Sequence, residues 1–218
     1  MLCTQIISPD YPTLSTKETV ADLQELFQKS GETLIPLLND QLLEGLLCYE
    51  DIQSIDPKTT LEKVPARTLF VGGKEHFLSA LKTMSLTGMA ILPVINEDQL
   101  YEGVITRISL LQALGTIMDI NSSTGAIIVL QMAKTAFSFT ELARLIESND
   151  ANITQLNSYL DVSSNQFIVT IRLDRMEVSD IISTLQRYEY KVVYFWGNEL
   201  YENELRQNYD ALMNYLSI

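Results

Sequence analysis

The sequence predicts an α+β protein: tandem β-α-β-β-α repeats, then a ferredoxin-like βαββαβ domain and a C-terminal helix. Three observations predict it. A pattern of about 57 residues occurs twice before residue 121. Beyond residue 125 the apolar periodicity alternates between strand and helix spacing in the order β-α-β-β-α-β. Residues 198–218 then carry an apolar stripe at helical spacing. The resulting organisation is a first repeat over 1–60, a second over 61–121, a third domain over 125–197 and a helix over 198–218.

The repeats are justified element by element. LIPLLNDQLLEGLLCYED at 34–51 matches ILPVINEDQLYEGVITRIS at 91–109, with Pro36 opposite Pro93 and Gly45 opposite Gly103. Upstream, Val20, Leu23, Phe27 and Gly31 match Phe77, Ala80, Met84 and Gly88. The apolar positions recur on one helix face, and each glycine stands where a helix end wants a positive φ. Ser15 and Glu18 form an S-x-x-E capping box ahead of the first helix. Each glycine is followed by an apolar run with proline, a polar turn and a second apolar run, which reads as strand, turn, strand. A short helix follows, starting near Glu50 and near Ile108, and an extended piece precedes each unit at Thr13-Leu14 and Thr68 to Val71. A unit of this size is marginal alone, so two copies are expected to share a buried sheet–sheet interface.

Charge and composition narrow the function. The chain carries 28 acidic and 15 basic residues, a net charge of −13. A nucleic-acid binder needs a basic footprint to release counterions, and an anionic membrane surface asks for the same. Neither partner is expected. The N-terminus lacks a signal-peptide pattern, and the apolar segment 125–133 is too short to span a bilayer, so the expectation is a cytoplasmic protein. Cys3, Cys48 and His76 are too few for a Cys/His metal site. The cysteines are expected as free thiols and His76 as a helix-surface residue without catalytic partners.

The repeated strand with its proline, the turn and the Gly-apolar-apolar-Thr/Ser-x-x-Asp signature together resemble the CBS family over residues 1–118. The resemblance implies a pseudo-twofold module that binds adenine nucleotides in clefts between repeats and dimerises through its helices. In the family the signature Asp takes the ribose hydroxyls and the Thr/Ser reaches a phosphate oxygen. Carried onto this chain, those positions are Cys48 and Asp51 in the first copy and Thr106 and Ser109 in the second, with Arg107 as a phosphate contact. Thr13, Pro36 and Pro93 complete the implied nucleotide-binding set. Each copy has lost one element: Cys48 is a poor donor where a hydroxyl belongs, and Ser109 replaces the carboxylate. Residues 1–60 hold three lysines against ten carboxylates, so adenosine or AMP is favoured over ATP as a regulatory ligand. The competing assignment makes Asp51 and Thr106 helix caps and Arg107 a solvated charge.

In the third domain, 126–132 reads as a strand, Ser138 and Glu141 as a cap, Leu142, Leu145 and Ile146 as a helix stripe, and 167–173 as a strand. Asp174 and Glu177 are expected to cap a second helix with the stripe Val178, Ile181, Ile182 and Leu185, and Tyr190 to Trp196 closes as a strand. The order resembles an ACT domain, which implies side-by-side pairing and an amino-acid ligand; the loop 134–138 lacks the glycine that family uses. Asn152 is open to a ligand or a turn role. In the tail, Leu205, Tyr209, Leu212 and Leu216 share one face, with no basic face for a membrane. The combination is similar to small stand-alone bacterial regulators of the acetoin-utilisation accessory type. It implies a non-enzymatic, ligand-sensing homodimer that signals to an unknown protein partner. A ligand-free dimeric interaction scaffold and an amino-acid sensor acting through the third domain stay open.

Overall fold

The computed structural model describes residues 1–120 and 125–198. Most of the joint expected at 122–125 and almost all of the helix expected over 198–218 lie outside the described residues. The chain divides into two compact units, Met1–Ile117 and Met118–Ile218. The α+β class read from the sequence is the one observed.

In the first unit the repeat is visible element by element. The first copy runs β1 (Leu14–Ser15), α1 (Val20–Ser30), β2 (Leu34–Asn39), β3 (Leu42–Cys48) and α2 (Tyr49–Ile52). The second runs β4 (Val71–Gly72), α3 (Phe77–Thr87), β5 (Ile91–Ile95), β6 (Tyr101–Thr106) and α4 (Arg107–Ile117). Each copy forms a three-stranded sheet, a short parallel pair followed by an antiparallel hairpin. Val20, Leu23 and Phe27 bury one face of α1, and Phe77, Ala80 and Met84 do the same for α3. Gly31 and Gly88 end these helices at φ 72° and 70°, a left-handed turn that a Cβ would strain. Between the copies, Leu34, Leu46 and Cys48 of one pack on Ile91 and Val104 of the other. This is the shared sheet–sheet interface the repeat demanded.

Two caps differ from the expectation. Ser15 is paired into β1, where its amide donates to Glu18 Oε2 (2.6 Å), so the S-x-x-E pair closes a turn rather than capping a helix. The helix begins one turn later on a Thr19–Asp22 box. The second copy repeats the device: the Gly72 amide donates to Glu75 Oε1 (3.0 Å), and the Leu78 amide donates to His76 Nδ1 (3.4 Å). His76 is exposed, as the sequence leads one to expect, and serves as the N-cap of α3.

The second unit runs β7 (Ile127–Met132), α5 (Phe139–Glu147), β8 (Ile153–Asp161), β9 (Gln166–Leu173), α6 (Ser179–Arg187) and β10 (Lys191–Trp196). Its antiparallel sheet has the order β10-β7-β9-β8, the ferredoxin-like arrangement. One sheet face (Ile128, Leu130, Val169, Ile171) packs on Leu142, Leu145 and Ile146 of α5 and Ile181 and Leu185 of α6. Ser138 caps α5 as its sequence predicts. Asp174 does not cap α6. It accepts from both the backbone and side-chain amides of Asn152 (2.9 and 2.7 Å), tying the start of β8 to the end of β9. The cap falls to Val178, with Glu177 accepting from the Ser179 amide. The Tyr190 hydroxyl donates to Glu141 Oε2 (2.9 Å); burial and that carboxylate push its pKa up to about 12.

Candidate functional site

The repeated signature falls on two equivalent junctions, β3 to α2 and β6 to α4. Each is crossed by the extended segment that precedes the other copy's first strand. Leu46 and Arg67 exchange backbone hydrogen bonds (2.9 Å each way), and Ser8 and Val104 do the same (2.7 and 3.4 Å). The crossing needs glycine on the strand. A Cβ on Gly45 would sit 2.8 Å from Ala66 Cβ, and one on Gly103 would sit 3.1 Å from the Ser8 carbonyl oxygen. The two matched glycines are therefore sites of close backbone approach.

At the first junction this crossing delivers Arg67 to Asp51. Arg67 Nε donates to Asp51 Oδ2 and Nη2 to Oδ1, both at 3.0 Å, a two-pronged fork. The pair remains open to water, its side chains 45% and 35% exposed for Arg67 and Asp51. Cys48, one turn earlier, is buried between the repeats and makes no cap hydrogen bond with its side chain. Pro36 is buried in β2 opposite Leu46, and Thr13 is half-buried just ahead of β1. Sequence reasoning missed Arg67. The signal was there: residues 1–67 contain five cations, and Arg67 is the one arginine among them.

At the second junction the polar groups serve the backbone. The Ser109 amide donates to Thr106 Oγ1 (3.0 Å), and the Thr106 amide donates to Ser109 Oγ (2.9 Å). This reciprocal box starts α4. Arg107 turns away and donates from Nη2 to the Gly88 carbonyl oxygen, at the C-terminal end of α3 where a cation is favoured. Pro93 is buried opposite Val104. Asp51 and the Thr106–Arg107 pair thus belong to opposite junctions.

Two tyrosines stand near the seam. Tyr11 donates to Glu32 Oε2 (2.7 Å) and to the Leu34 carbonyl oxygen (3.1 Å); burial and Glu32 raise its pKa. The Tyr101 hydroxyl is buried without a hydrogen-bond partner among the described residues, and burial raises its pKa. A concavity of about 780 Å³ lies at the far end of the second sheet, around Gly73, Asn96 and Glu102. A smaller one around Asn39 and Glu44 is its counterpart in the first copy. Neither is lined by a signature residue. Among the described residues no group of His, Cys, Asp and Glu is placed to hold a metal ion, and no helix is long and apolar enough to cross a membrane. Both cysteines are free and buried.

The first unit has the fold of a CBS domain pair. It superposes on a CBS domain pair/ACT domain protein from Thermotoga maritima with a TM-score of 0.50 and 18% identity, over 56% of this chain and 100% of that one. The CBS domains of a transcriptional regulator from Streptococcus pneumoniae match at 27% identity and a TM-score of 0.48, over 51% and 98%. In sequence, the chain is 31% identical over 118 residues to the uncharacterized protein YtoI of Bacillus subtilis (strain 168). That match covers 52% of this chain and 27% of YtoI, so the chain spans about a quarter of that relative's length. No family model matches the chain.

Proposed function

We propose that this chain is a non-enzymatic regulatory protein that senses an adenine nucleotide, AMP or adenosine, at the first junction. The observation that carries the reading is the exposed Asp51–Arg67 fork. A nucleoside monophosphate offers ribose hydroxyls that donate to Asp51 and a phosphate that accepts from Arg67. It replaces each partner of the ion pair with a chemical equivalent. Opening the pair is cheap, since exposed ion pairs contribute about 0–1 kcal/mol. The ten carboxylates of residues 1–60 disfavour a triphosphate. A change at this junction moves the segment carrying Arg67, which is how occupancy would reach a protein partner.

Titration calorimetry on the full chain tests this. AMP is expected to bind, and adenosine to bind more weakly. Arg67→Ala should reduce AMP to the adenosine level, roughly tenfold per 1.4 kcal/mol lost, and Asp51→Ala should weaken both. Absence of heat and of any thermal shift at millimolar AMP overturns the reading.

One observation favours a second reading, a ligand-free scaffold. At the second junction Thr106, Ser109 and Arg107 are already engaged by backbone groups. We read that junction as structural. The strand order of the second unit supports an ACT-like assignment, and kinship with regulators of the acetoin-utilisation accessory type is part of the same proposal. An amino-acid ligand there draws no support from its 134–136 turn, which lacks glycine. The chain is proposed to act in the cytoplasm as a homodimer.

A further inference from the structure

The two junctions differ in what fills the seam beside them. After Ser8 crosses β6 at Val104, two residues ahead of Thr106, the chain runs on to Tyr11. The Tyr11 ring is half-buried. It packs on the cluster in which Leu34, Leu46 and Cys48 of the first copy meet Ile91 and Val104 of the second. Its hydroxyl donates to two acceptors of the first copy, Glu32 Oε2 (2.7 Å) and the Leu34 carbonyl oxygen (3.1 Å). The Tyr101 hydroxyl lies buried in the same seam, with no hydrogen-bond partner among the described residues. Near the first junction, the positions matching Tyr11 and Glu32, 57 residues further on, are Thr68, which is exposed, and Met89. Neither the ring nor the carboxylate is repeated there.

We propose that Tyr11 is a tethered occupant of the second junction, its ring filling a seam that would otherwise accept the base of an adenine nucleotide. The inference rests on reading the first junction as a nucleotide site. Tyr11 inserts a flat aromatic ring with a hydrogen-bond donor at its rim, and adenine carries the same pair in its ring and exocyclic amine. A backbone carbonyl such as that of Leu34 accepts from either donor. The Tyr101 hydroxyl is the polar group left over, a partner for a ligand that Tyr11 does not replace. An occupant held on its own chain acts at an effective concentration on the order of millimolar, and it binds without the cost of immobilising a separate molecule. Free nucleotide therefore enters the first junction alone.

Titration calorimetry with AMP, on the full chain and on Tyr11→Ala, counts the sites. The unaltered chain should bind one AMP. Tyr11→Ala should bind two, and the added one should survive when Asp51→Ala is placed in the same chain. Two equivalents on the unaltered chain overturn the proposal, whether or not the variant folds. One equivalent on a folded Tyr11→Ala chain also overturns it and leaves the first-junction reading standing. Binding to Tyr11→Ala but not to the unaltered chain does the reverse: it removes the first-junction reading and supports the tethered ring. Binding to neither overturns both. Should Tyr11→Ala fail to fold, Glu32→Ala decides. It deletes only the shorter of the two hydroxyl bonds, and it should admit a second, weaker equivalent. A single equivalent there at millimolar AMP overturns the proposal.

Discussion

The hydroxyl of Thr106 is a structural group before it is a binding one. It accepts the Ser109 amide while Ser109 accepts the Thr106 amide, satisfying two donors that a helix start leaves open. Cys48 holds the same place in the first copy and makes no such bond. The helix after Thr106 runs eleven residues and the one after Cys48 runs four. Thr106→Ala should therefore destabilise the first unit by about 1 kcal/mol, read by chemical denaturation, and leave AMP affinity unchanged. A loss of AMP affinity in that variant would move the binding site to the second junction. At this scale the sequence was legible where a role is local: Ser138 and both C-cap glycines stand as read. It was not legible where a role depends on distant chain. Nothing near Asp51 in sequence announces Arg67, because the pair forms only when residues 66–67 cross β3 at Gly45.

Among elements, the strands and helices followed their periodicities closely, and the errors concern which residue closes an end. Asp174 precedes an apolar helical stripe, the place of a cap in the sequence. The β8–β9 pairing instead presents it with Asn152, and two amide donors outcompete a helix start several residues away. Those donors hold the Asp174 carboxyl below its ordinary value. The lowered value fixes the sign of a pH effect. The clamp is fully stabilising above the unfolded carboxyl's pKa of about 3.9, and that contribution is lost as pH falls through the lower folded value. Asp161 and Glu177, also lowered by donors in their own turns, act in the same direction. Asp174→Asn should cost the second unit stability at neutral pH. Its melting temperature and the wild type's should converge as pH is lowered below about 4. A gap that stays constant with pH would show that the charge contributes nothing to the clamp.

For the whole molecule, the copies are alike in backbone and unlike in what they show to solvent. On α1 the outward positions include Asp22, Glu25 and Lys29, the last two ion-paired. On α3, Leu86 stands where the first copy has Lys29, and it is 77% exposed; Leu111 on α4 is 69% exposed. Neither α3 nor α4 contains an Asp or Glu. In a chain of net charge −13, two copies repel over most of their surface. A face that is apolar and free of carboxylates is where they can meet, and a twofold contact sets it against itself. The expected species is a dimer near twice 24.6 kDa by light scattering, formed through the second copy's helices. Added salt should strengthen it by screening the repulsion. Leu86→Asp combined with Leu111→Asp should give a folded monomer, since paired carboxylates would then face each other across the twofold. A dimer indifferent to that double substitution would place the contact elsewhere, and a monomer for the unaltered chain at all concentrations would remove it.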